Sequence, residues 1–224
     1  MIPRAGYYLR VNERHQLLVS VSKHLYLLKS GVMTYQQKAM DVSLKNYRRR
    51  GREHVLHYLI RDEASGMIYA ELHRGSAPIE MLDFLFRAWR EKDHFYFAGM
   101  PQQLCVPATI YTEELGRDLH ALGITVTKPG SGFHAGVRSV RFWEEALTWF
   151  AFHYPGISNF AELRHYTEHL AHDLNRYDQS RIEFWERGVG DGRYPLPEQI
   201  TAYCEQRVPV DPRAVSRFFR REHM

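Results

Sequence analysis

The sequence lacks most of the features that identify a protein quickly. It has two cysteines in 224 residues, Cys105 and Cys204, far apart and neither in a CxxC pair. That excludes a disulfide scaffold and a zinc ribbon, and it fits a reducing compartment. No apolar run approaches the length of a membrane span, so no membrane partner is expected. The opening "MIPRAGYYLRVNERHQ" has no apolar signal-peptide core. The expectation is therefore a cytoplasmic protein. There is no GK[ST], no GxSxG, no HExxH and no Cys–His nucleophile pattern. These absences remove P-loop, α/β-hydrolase and zinc-protease chemistries. Internal repeats and low-complexity tracts are missing as well.

What is present is a globular composition. Hydrophobic residues make up 44% and charged residues 25%, enough apolar material for a core. The length suits one large domain, or one domain with helical extensions. The formal net charge is +4, and its placement says more than its size. Lys45, Arg48, Arg49, Arg50 and Arg52 crowd one turn, and Arg213, Arg217, Arg220 and Arg221 gather at the C-terminus. Such clusters can neutralise phosphates; a charge run taken alone is more often a solvated turn or tail.

Hydrophobic spacing gives an element order. "ERHQLLVSVSKHLYLLKS" sets Leu17, Leu18, Val21, Leu25 and Leu28 at helical spacing before Gly31, which predicts a helix over 13–30 outside the main sheet. Three strands follow: roughly 36–47, "HVLHYLIRD" and "MIYAELH", joined by the polar turns "RRRGRE" and "EASG". "SAPIEMLDFLFRAWREKD" reads as a helix capped by Ser76, with Ile79, Leu82, Phe86 and Trp89 on one face. "CVPATIYTEE" is a short strand, "ELGRDLHALGI" a helix closed by Gly123, and "TVTKP" another strand. "GSGFHAG" reads as a glycine-rich loop before the helix "VRSVRFWEEALTWFAFH". From Pro155 onward the pattern is helical and polar, with one or two helices over 158–187, the linker "GVGDGRYPLP" and two further short helices.

A meander passing into alternating helices and strands predicts an α/β fold with a mixed sheet. Four pieces of sequence sharpen this. They are "YQQKAMDVSL", "LHYLIRDEASGMIYAEL", "VPATIYTEELGRDLHALGI" and "SGFHAGVRSVRFWEEAL", in that order and spacing. Together, over about residues 34–150, they resemble the RNase H-like catalytic core of retroviral-type integrases and DDE transposases. The resemblance implies a five-stranded sheet, an antiparallel three-strand meander and then alternating α/β. It also implies a division into a helical N-terminal arm (1–33), the core (34–155) and a helical C-terminal extension (156–224).

It further implies a site. In that family Mg²⁺ or Mn²⁺ ions sit between three carboxylates and drive phosphodiester cleavage and strand transfer on DNA. The first is an aspartate on the first strand, the second an aspartate after the fourth strand, and the third a glutamate on the last core helix. Asp41 matches the first position. At the second the sequence has Glu113, one methylene longer than the family's aspartate. At the third no acid aligns among Ser139, Val140 and Arg141, and Glu144, one helical turn on, is the candidate substitute. Asp62 falls at the hairpin, where the expected role is to accept backbone N–H bonds.

Two functions follow from this reading. One is an integrase- or transposase-like polynucleotidyl transferase acting in DNA integration or recombination, with an impaired or rearranged triad. The other is a non-catalytic RNase H-like module that binds DNA or a partner protein, with a homo-oligomer as a further expectation. In both, the basic turn holds phosphates. His165, His169 and His172 share a helical face but lack the acidic or cysteine signature of a metal site.

Overall fold

The structure is a computed structural model that describes residues 12–49, 51–63, 66–92, 97–129, 133–153 and 159–175. Its strands are β1 (Arg14–Leu27), β2 (Met33–Tyr35), β3 (Glu53–Asp62), β4 (Ile68–Arg74), β5 (Gln103–Cys105) and β6 (Thr125–Thr127). Its α-helices are α1 (Met81–Trp89), α2 (Glu113–Ala121), α3 (Phe133–His153) and α4 (Phe160–Asn175). The sheet has six strands in the order β4-β3-β1-β5-β6, with β2 beside β1. β3 pairs antiparallel with both β1 and β4, whereas β5 joins β1 in parallel and β6 joins β5 in parallel. This mixed α/β arrangement is compatible with an RNase H-like fold.

The expected N-terminal helix is the main correction. Residues 14–27 form the longest strand, at the centre of the sheet. Their apolar spacing looks helical for two reasons. β1 is covered on both faces, so neighbouring positions such as Leu17 and Leu18 are both buried. A β-bulge between Val21 and Tyr26 then reverses the alternation. Leu17 and Val21 pack with Phe84 and Trp89 of α1, while Leu25 and Leu27, past the bulge, pack with Leu147 of α3 and Leu163 of α4.

The strand expected over 36–47 is absent. Residues 36–46 cross the core edge without a ladder, ending in the 3-10 turn Tyr47–Arg49. Met40 and Val42 are buried with Asp41 exposed between them, so the segment alternates like a strand without pairing like one. Helix α1 begins at Met81 rather than after Ser76, because Ala77 N–H first turns back to the Arg74 carbonyl at 3.1 Å. The expected glycine-rich loop is partly helix, since α3 starts at Phe133. There Gly136 lets the helix press on β1: a Cβ at that position would lie 2.7 Å from Gln16 Oε1.

The later core elements follow the sequence more closely. Thr112 Oγ1 accepts the Leu115 N–H at 3.1 Å and caps α2, and Gly123, at φ +79°, closes it. "TVT" forms β6, but the strand expected over "CVPATIYTEE" lies earlier: β5 is Gln103–Cys105, and the chain then turns, with the Ile110 and Tyr111 N–H groups donating back to the Pro107 carbonyl. α4 covers part of the expected 158–187 helix; residues beyond 175 lie outside the described residues.

The sheet is held to its helices by polar anchors as well as apolar packing. Trp89 of α1 donates its indole N–H to His15 Nδ1 at 3.3 Å, and Trp143 of α3 donates to His57 Nδ1 at 3.1 Å. An indole nitrogen can only donate, so each ring carries its own proton on Nε2. On the β4 edge, Glu71 accepts two bonds from the Arg87 guanidinium, at 2.8 and 2.7 Å, and one from Tyr69 Oη at 2.6 Å. Its Oε2 also lies 2.7 Å from His73 Nε2. Burial alone would raise this carboxyl; those hydrogen bonds outweigh it and hold the group at about 2.

Candidate nucleic-acid interface

The three expected carboxylates occupy different settings. Asp41 is exposed on the unpaired segment before the 3-10 turn. Glu113 is the exposed first residue of α2. Glu144 projects from α3 onto the β1 bulge, where its Oε1 accepts the Ser22 hydroxyl at 3.1 Å and the Lys23 backbone N–H. Among the described residues, no group of three or more His, Cys, Asp or Glu side chains could hold a metal ion. The described residues therefore do not fit the Mg²⁺ or Mn²⁺ pair that the resemblance implies.

The reassigned first strand bears on the same point. β1 reads RHQLLVSVSKHLYL and contains no acidic residue. Its face toward α3 presents Gln16, 1% exposed, and Leu18, which packs on Phe142 and Trp143. Gln16 Nε2 donates to Glu63 Oε2 at 3.3 Å, and Glu63 is also taken by the Arg14 guanidinium. The segment from Val106 to Thr112, after β5, has no carboxylate either.

On the other face His15 and Asp62 are both fully buried, 3.6 Å apart. Asp62 Oδ1 accepts the Asn12 N–H at 3.0 Å, and the β3–β4 turn is closed by its backbone, Gly66 N–H to Asp62 O at 2.9 Å. Asp62 thus accepts a backbone N–H, as expected, but one in the turn ahead of β1 rather than its own. Burial pushes His15 down to about 3. His57 is also lowered by burial, against an opposing pull from Glu144.

The basic turn has a clearer geometry. The end of β1, the start of β3 and the end of β4 meet at one edge of the molecule, around a cavity of about 580 Å³. Lys29, Arg48, Arg52 and Arg74 line it, with Tyr26 and Glu53. Three segments far apart in sequence thus deliver four cations to one groove. The single acid among these residues is occupied, since Glu53 Oε1 accepts the Ser76 N–H at 2.9 Å.

The arginines are held by aromatic rings. The Arg52 guanidinium carbon lies 4.6 Å from the Tyr26 ring centroid, and its Nη1 donates to Gln36 Oε1 at 3.0 Å. Arg48 donates its Nε–H to the Tyr47 hydroxyl at 3.0 Å, and Arg74 lies 5.4 Å over the Phe160 ring. Of the expected phosphate contacts, Arg48 and Arg52 line the groove and Lys45 is exposed outside it. Arg50 and the Arg49 side chain lie outside the described residues. Lys29, Arg74 and Tyr26 were missed. Nothing local marks them; they become neighbours only once β1, β3 and β4 are recognised as adjacent antiparallel strands.

No family model and no curated protein matches the chain. Among solved structures it is similar to a chain of the simian T-cell lymphotropic virus intasome in complex with PP2A regulatory subunit B56 gamma. The identity is 12% and the TM-score 0.49, covering 91% of this chain and 60% of that one. Among the described residues no helix is long and apolar enough to cross a membrane.

Proposed function

We propose that this protein is an integrase-like module that acts on DNA by binding it, through the basic groove at the C-terminal end of β1, and not by cutting it. The observation that carries this reading is the convergence of Lys29, Arg48, Arg52 and Arg74 on one groove whose only acid among the described residues is already bonded. A cluster of this kind draws phosphates and releases their counterions. The catalytic alternative needs three carboxylates around shared Mg²⁺ or Mn²⁺, and the acid-free β1 and the separate settings of Asp41, Glu113 and Glu144 weigh against it.

One preparation tests both. Affinity for DNA is measured by fluorescence anisotropy as salt rises fourfold. If all four cations pair with phosphates, affinity falls by about a hundredfold. The Lys29→Glu, Arg74→Glu double variant removes most of the binding. Under Mg²⁺ or Mn²⁺ a supercoiled plasmid stays intact. Metal-dependent nicking abolished by Asp41→Asn would restore the catalytic reading, and no binding at low salt would remove the DNA reading.

A further inference from the structure

Resting on that nucleic-acid reading, we propose that the groove takes unpaired nucleotides of a single strand rather than duplex DNA. The first argument is shape. A half-open groove of about 580 Å³ has the size of a small-ligand pocket. A nucleotide can enter it, whereas a duplex keeps its bases stacked inside and would touch only the rim.

The second argument is the wall. Arg52 is exposed, yet its guanidinium is held by two contacts, its carbon 4.6 Å from the Tyr26 ring centroid and its Nη1 donating to Gln36 Oε1. A guanidinium held this way offers its outer face to a base, and arginine planes and tyrosine rings are the usual platforms for unstacked bases. Leu28, 46% exposed, lines the same cavity and adds apolar surface that phosphates do not need. Lys29, Arg48 and Arg74 surround this platform from three separate segments. A spread of that kind suits successive phosphates of a strand better than the one phosphate of a free nucleotide.

The test compares a labelled single-stranded 12-mer, a 12-base-pair duplex and a mononucleotide competitor, using the full chain. The single strand, DNA or RNA, binds about tenfold or more tighter than the duplex. Arg52→Lys keeps the charge and removes the plane; it weakens single-strand binding about fivefold or more and leaves the salt slope unchanged. Tyr26→Leu keeps an apolar residue at the half-buried site and has the same effect. Lys29→Ala instead lowers the slope by about 0.7. The proposal is overturned if the duplex binds as tightly as the strand, if a mononucleotide competes as well as the 12-mer, or if Arg52→Lys changes nothing. Loss of all binding, strand and duplex alike, would instead remove the nucleic-acid reading on which it rests.

Discussion

At its N-terminal end β1 runs between β3 and β5, and its polar side chains there turn inward. His15 meets Trp89 and Asn12, and Gln16 meets Glu63. About 30 Å further along, by the rise of a strand, β1 ends at a groove where Lys29, Arg48, Arg52 and Arg74 collect. One end is buried core with its polar groups bonded; the other is cationic surface. The family that the sequence resembles carries one of its three metal-binding carboxylates on the first strand. Here the strand itself is built as core, and the charge of opposite sign lies beyond its end. That difference underlies the proposed binding role.

The largest expected effect comes from breaking the buried end. Trp89 is fully buried and supplies the N–H that fixes the His15 ring. Trp89→Ala lowers the unfolding free energy by about 3–5 kcal/mol, read from urea denaturation. A loss under about 1 kcal/mol would mean that this end is not core in the sense argued.

Acid attacks the same end next. His15 is held near 3 by burial, against 6.5 for an exposed ring, so between those values the unfolded chain binds the extra proton. Its contribution is complete above pH 6.5 and shrinks as pH falls through the window, by roughly 2 kcal/mol at pH 5. His57 shifts in the same direction. Below about pH 4.5 Glu71 adds its own loss, because its carboxyl lies lower in the folded state. The urea midpoint should therefore fall from pH 7 to pH 5, and again below pH 4.5. A midpoint that is flat between pH 7 and 5 would contradict the buried neutral histidines.

The sequence carried these regions unequally. β3, β4, α2 and β6 were legible because local signals mark them: a hydrophobic run between polar turns, a threonine cap, a closing glycine. β1 was not, since a strand buried on both faces has no clean alternation and its bulge between Val21 and Tyr26 gives a helix-like spacing. That one error displaced the whole first-strand assignment onto residues 36–47, whose Met40, Asp41 and Val42 alternate as a strand should. The groove was half legible. Arg48 and Arg52 are sequence neighbours, but Lys29 and Arg74 reach them only through strand pairing.

Glu144 separates a structural from a catalytic carboxylate. It accepts the Lys23 N–H and the Ser22 hydroxyl at the bulge, the point where the apolar side chains of β1 change faces. Glu144→Ala leaves the Lys23 N–H without this acceptor and costs about 1–2 kcal/mol, less than for a fully buried site because the side chain is half exposed. Glu144→Gln, which keeps a carbonyl oxygen at the same reach, recovers part of the loss. Equal losses for the two would show that the charge, not the acceptor, matters.

Asp41→Asn is expected to do least. The side chain is exposed on a segment outside the strands, so the substitution changes stability by no more than about 0.5 kcal/mol. Its use lies in the response to cation. A Mg²⁺ site joining Asp41 to other elements would bind the folded chain and not the unfolded one. At a hundred times its Kd it would add about 2.7 kcal/mol. The arrangement described here provides no such group, so millimolar Mg²⁺ should shift the melting temperature of wild type and Asp41→Asn equally. A Mg²⁺-dependent rise in the wild type alone would mean that Asp41 shares a cation with other ligands in the folded chain, and the contrast between the two ends of β1 would no longer argue against cleavage.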